Sequence, residues 1–182
     1  NPFFPLLSLA LLIGLTHAQK QASGYPPEVP KPTFSEVSYG KHKRNVLDFW
    51  KANSKSPTPV AFVIHGGGWK GGSKERLPRF ADPNALLKAG ISVVAINYRY
   101  VTSAEKPPVK APLIDAARAL QFVRSKAKEW NLDKKRIGAA GGSAGACSSL
   151  WLAFHDDLAN PKSKDPVARE SSRLSCAAVT GA

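Results

Sequence analysis

Residues 138–146 read GAAGGSAGA, and one serine, Ser143, stands among residues with almost no side chain. Small residues let a backbone bend sharply and let another group come close. That group is a neighbouring helix, a phosphate or a reacting carbonyl. The flanks narrow the choice. RIGAAGGSAG at 136–145 reads as a short strand ending in a turn, and ACSSLWLAFHDD at 146–157 continues as a helix. The glycines therefore sit where a strand hands over to a helix.

A dinucleotide site wants Gly-x-Gly-x-x-Gly at the first strand-to-helix turn. Gly138, Gly141, Gly142 and Gly145 are out of that register, and no acidic residue ends a second strand about 20 positions later. A phosphate loop wants Gly-x-x-x-x-Gly-Lys-Ser/Thr. GGWKGGSK at 67–74 comes near it, but Ser73 precedes Lys74, so the lysine does not follow the last glycine into a phosphate cradle.

The third reading is Gly-x-Ser-x-Gly, present as Gly141-Gly142-Ser143-Ala144-Gly145. Between a buried strand and a helix this is the pattern of a nucleophile elbow. The turn strains the serine backbone, and its flanks must be small because strand and helix crowd them. The helix beginning at Ala144 turns its N–H groups and positive end toward the hydroxyl. A second element, HGGGW from His65 to Trp69, closes an earlier apolar run, PVAFVI. Acyl transfer builds negative charge on a carbonyl oxygen, and backbone donors must meet it. Consecutive glycines let the main chain approach without a Cβ.

These two motifs resemble the α/β-hydrolase fold, and within it the esterases and lipases of the hormone-sensitive-lipase-like group. YRY at 98–100 and the helix PLIDAARALQFVRSKAKEW at 112–130 are similar to that group as well. The resemblance runs from about Thr33 to the end. It implies Ser143 as nucleophile and an oxyanion hole built from the backbone of Gly67, Gly68 and Ala144. His65 would then orient the glycine loop and not catalyse. The implied reaction is hydrolysis of small carboxylic esters through an acyl-enzyme, with no cofactor. The sequence departs from the group at Gly142, where Asp is frequent, and at Ala146, where a further Gly is common. Two alternatives share the fold: a homologue used for binding, and a peptidase. Intact motifs argue against the first, and HGGGW favours esters over the second.

A serine nucleophile needs a base, and the base an orienting acid. In this fold the chain order is Ser, then Asp or Glu, then His. His17, His42 and His65 precede Ser143, and His155 lies twelve positions later on the same expected helix. At 1.5 Å per residue that is roughly 18 Å away, too far for a base. Asp115 also precedes the serine and is expected to be structural. The triad acid and histidine are therefore expected beyond Ala182. The cysteines Cys147 and Cys176 are read as two buried thiols, although an exported protein permits a bridge. No group of His, Cys and carboxylates has metal-ligand spacing.

The remaining sequence fits one α/β domain over 33–182. FSEVSYG and NVLDFWKA flank KHKR as an antiparallel hairpin. PVAFVI and ISVVAINYRY read as strands buried on both faces. DPNALLKAG ends a helix at Gly90. Leu113, Ala117, Leu120, Val123, Ala127 and Trp130 make one apolar stripe at helical spacing. LSCAAV is a last strand. Strands alternating with helices imply a three-layer sandwich around a mostly parallel sheet, stopping near strand 6.

At the start, FFPLLSLALLIGL followed by THAQ reads as the core of a signal peptide over 1–18, cut after Ala18. Residues 19–32, QKQASGYPPEVPKP, read as a Pro-rich linker. The expected location is secreted or periplasmic, with no stable membrane insertion after cleavage. Among 182 residues, 26 are Lys or Arg and 13 Asp or Glu, for a net charge of +13. The basic residues are scattered over KHKR, KERLPR and KAKEWNLDKKR. No RNA-binding aromatic motif or helix-turn-helix accompanies them, so they read as a solvated surface and nucleic acid is not the expected partner.

Overall fold

The computed structural model describes residues 24–104 and 106–181. The expected signal segment and the first five positions of the Pro-rich segment lie outside them. Six strands form one sheet: β1 Phe34–Ser38, β2 Val46–Trp50, β3 Thr58–Ile64, β4 Ser92–Ile96, β5 Leu132–Gly142 and β6 Cys176–Thr180. Their order is β1-β2-β4-β3-β5-β6. β1 pairs β2 and β2 pairs β4 antiparallel, while β3, β4, β5 and β6 run parallel. The hairpin and the mostly parallel sheet are those expected.

Strand alternation divides the core in two. Val94 and Ile96 of β4, with Val60, Phe62 and Ile64 of β3, face α2 (Lys110–Ser125), α3 (Ala127–Trp130) and α4 (Ala144–Phe154). Val93, Ala95 and Val63 point the other way, toward Leu77 and α1 (Pro83–Lys88). All five residues of β4 are buried, because a strand between two layers has no solvent face. Described residues of the Pro-rich segment also pack on this second face. Tyr25 meets Trp50 edge-on at 5.2 Å, and Trp50 Nε1 donates to the Pro30 carbonyl.

The helices follow local chemistry. Asp82 caps α1, its carboxylate accepting from Asn84 and Ala85 N–H, with Pro83 at the first position. The helix expected over 112–130 is instead two. At Lys126 the backbone relaxes to φ −88°, ψ 0°, and Trp130 beyond it stacks on Phe49 at 4.5 Å. β5 begins four residues before the expected strand. Asn131 turns left-handed at φ 59°, which sets Leu132 beside Thr58. Among the described residues no helix is long and apolar enough to cross a membrane.

Candidate active site

Ser143 follows β5 and begins the turn into α4. Its backbone is held at φ 53°, ψ −124°, a conformation that costs an L-residue free energy. The glycines around it show why nothing larger fits. A Cβ on Gly145 would lie 2.0 Å from the Ile64 carbonyl oxygen, and one on Gly141 would lie 2.6 Å from the same atom. A Cβ on Gly142 would meet the Phe80 ring at 2.6 Å. The Ser143 N–H donates to the Thr180 carbonyl at 3.1 Å, tying the turn to β6.

The loop from Gly66 to Gly72 leaves the end of β3 beside this turn. A Cβ on Gly66 would meet the Gly142 carbonyl at 2.6 Å, so the two segments touch backbone to backbone. Gly67 has φ +125°, and its carbonyl accepts from Lys70 and Gly71 N–H, folding the loop back on itself. Tyr98 and Tyr100 bracket the loop. The Tyr98 hydroxyl donates to the His65 carbonyl at 2.8 Å and the Tyr100 hydroxyl to the Gly72 carbonyl at 2.6 Å. Between them Arg99 grips Asp115, which also accepts from Asn45, so Asp115 is a buried structural clamp. The YRY motif is thus the fixture of the glycine loop. Trp69 Nε1 donates to Ser148 Oγ at 3.0 Å, joining loop to α4.

His65 is buried, with its ring stacked on Tyr98 at 4.2 Å. Its Nδ1 is 2.8 Å from the Gly66 carbonyl, which can only accept, so Nδ1 carries the proton. Nε2 is buried with no hydrogen-bond partner. Burial, with Arg44 and Arg76 nearby, pushes its pKa down to about 4. The ring is neutral and turned into its own loop. His42 and His155 are exposed, and His155 stacks on Trp151 at the end of α4. None of the three lines the cavity with Ser143.

That cavity, about 480 Å³, is lined by Ser143, Gly142, Gly66, Gly67, Phe80, Thr180, Gly181, Arg76 and Arg79. Ser143 and Gly67 are therefore brought together. Gly68 is exposed one residue further along, and Ala144 is buried at the first position of α4; neither lines the cavity. The backbone N–H groups of Gly67 and Gly68 donate to no acceptor among the described residues. The Ala144 N–H is one of the four that a helix start leaves unpaired.

Arg76 and Arg79 come from a 3-10 turn over Lys74–Arg79, the KERLPR stretch expected to be solvated surface. Lys74, next to them, is buried and binds Glu36, Asp48 and Glu75, the last at 2.6 Å. The three carboxylates lie within 4.8 Å of one another. The ammonium already fills their centre. Burial lowers its pKa, but the carboxylates outweigh burial and hold it above the usual lysine range. Cys147 and Cys176 are unbridged, as expected, but not buried. Cys147 is half-buried and Cys176 exposed, since among the described residues β6 is an edge strand.

Fold and elbow together define an α/β-hydrolase fold. The BD-FAE family model matches residues 47–180, and the chain belongs to that family. It is 37% identical over 125 residues to the "Probable carboxylic ester hydrolase LipM" of Mycobacterium tuberculosis, covering 65% of this chain and 28% of that protein. It is 30% identical over 130 residues to "Esterase LipQ" of the same organism, covering 66% and 30%. Among solved structures it resembles an acetyl ester-xyloside bifunctional hydrolase from Caldicellulosiruptor lactoaceticus, with TM-score 0.65 and 29% identity over 85% of this chain and 58% of that one. The chain thus spans less than a third of the length of these two curated relatives.

Proposed function

We propose that this chain carries the nucleophile of a serine hydrolase of carboxylic esters. The observation that bears most weight is the strained backbone of Ser143 at φ 53° in a cavity shared with Gly67. In this reading Ser143 Oγ attacks the ester carbonyl while a base takes its proton. The carbonyl oxygen becomes an oxyanion, met by the backbone N–H groups of Gly67, Gly68 and Ala144. The alcohol leaves with a proton, and water then releases the acid from the acyl-enzyme. His65 orients the loop through its Gly66 contact and is not the base. Neither His42 nor His155 lines the Ser143 cavity, so neither is assigned as the base. The relatives' names support an ester substrate.

Export belongs to the same reading, supported by the apolar run at 3–15 and THA at 16–18. Protein recovered from producing cells should begin at Gln19. The nucleophile is tested by treating the protein with a fluorophosphonate and locating the adduct by mass spectrometry. The expected adduct is on Ser143 and absent from Ser143→Ala. Labelling that survives the substitution overturns the assignment.

A further inference from the structure

Among the described residues, those lining the Ser143 cavity include two cations and no acid. Arg76 is half-buried and Arg79 exposed, and both line the cavity wall. Arg76 Nη1 lies against the glycine loop, 3.3 Å from where a Gly67 Cβ would stand and 3.0 Å from that of Gly72. Neither guanidinium has an ion pair among the described residues. Glu36, Asp48 and Glu75 all converge on Lys74. Asp82, just beyond the turn, is spent on capping α1. Among the described residues, then, a buried lysine is neutralised by three carboxylates while two arginines beside the nucleophile have no ion pair. Guanidinium is planar, permanently charged and shaped to bind a carboxylate with two parallel N–H donors. The net charge of +13 adds a field that draws anions toward the cavity.

We propose that Arg76 and Arg79 are substrate-binding residues that select esters carrying a carboxylate on the acyl or the alcohol side. This rests on the ester-hydrolase reading of the same cavity. The arginines act on the remote anion, and Ser143 acts on the ester carbonyl. The cost of losing a charge-assisted contact is on the order of tenfold in specificity.

Two matched pairs of esters separate the sides. 4-Nitrophenyl hydrogen glutarate against 4-nitrophenyl methyl glutarate places the charge on the acyl part. 4-Acetoxybenzoate against methyl 4-acetoxybenzoate places it on the alcohol. In at least one pair kcat/KM should favour the anion, and the preference should shrink as ionic strength rises. Arg76→Gln and Arg79→Gln should each lower the anion-to-neutral ratio about tenfold, mostly through KM, with Arg79→Lys recovering part of it. Ratios unmoved by both glutamine variants in both pairs overturn the proposal. Calorimetric titration of Ser143→Ala protein with monomethyl glutarate and with dimethyl glutarate reads the site without turnover. Tighter binding of monomethyl glutarate, lost on adding Arg76→Gln and Arg79→Gln, supports the anion site. Equal binding of the two ligands, or none, overturns it. Absence of serine-dependent turnover for all four esters removes the hydrolase reading, and the titration still decides whether the arginines hold a carboxylate.

Discussion

At the residue scale, the glycines near Ser143 are not interchangeable. Gly145 faces the Ile64 carbonyl at 2.0 Å from its would-be Cβ, whereas a Cβ on Gly68 meets nothing within 4 Å. Gly68 needs only its φ of +59°, a strain of about 1 kcal/mol for an L-residue. Gly145→Ala must push apart β3 and α4, at about 3 kcal/mol. Urea unfolding should rank Gly145→Ala well below Gly68→Ala, and equal midpoints would contradict the crowding. His65 supplies a pH dependence. Its pKa falls from 6.5 to about 4 on folding, so the unfolded chain takes up the proton first as pH drops. His65 therefore stabilises the fold above pH 6.5 and loses that contribution between 6.5 and 4. The full span is about 3 kcal/mol. The urea midpoint of the wild type should drop more between pH 7 and 4.5 than that of His65→Gln, and parallel curves would refute it. The elbow itself was legible from residues 141–145 because nucleophile and glycines are adjacent in sequence. The roles of Tyr98 and Tyr100 were not, since their hydroxyls reach carbonyls 33 and 28 positions away.

At the scale of elements, the 3-10 turn over 74–79 decides how rigid the glycine loop is. Lys74 N–H donates to Asn97 Oδ1 at 2.7 Å, and its ammonium reaches Asp48 of β2 at 3.1 Å. The turn that follows the loop is thus bolted to β2 and to the residue just after β4. Asp48 is 0% exposed, so removing its cation leaves a buried charge. Lys74→Met should cost about 3–5 kcal/mol in urea unfolding. The double variant Lys74→Met with Asp48→Asn should recover part of that, because the orphaned carboxylate is gone. A single variant within 1 kcal/mol of wild type, on the order of ordinary surface changes, would show that the cluster is solvated. This device was illegible in KERLPR, where alternating charges and Pro78 gave no period. Strands β3 and β4 were plain because a strand buried on both faces is a continuous apolar run. The break in the helix at Lys126 was not, because the apolar stripe continues through it to Trp130.

At the scale of the molecule, coverage of the sheet is uneven. Among the described residues, one face carries α2, α3 and α4, and the other α1, the 3-10 turn and the segment around Val29. On that second face an apolar groove of about 630 Å³ runs over β5 and β6, lined by Ala61, Leu86, Ala140, Cys176 and Ala178 among others. β6 is also an edge of the sheet in the described chain, with its outer backbone groups unpaired by any strand there. An open edge beside an apolar groove invites association. The charge of +13 opposes it by mutual repulsion, which salt screens. The 182-residue chain should therefore sediment as larger species as salt and concentration rise. Ala178 is exposed and lines the groove, so Ala178→Lys places a cation in the groove while changing stability by no more than about 0.5 kcal/mol. That variant should remain smaller at the same salt and concentration. Sedimentation profiles that coincide for the two proteins across the series would show that the groove and its edge play no part in self-association.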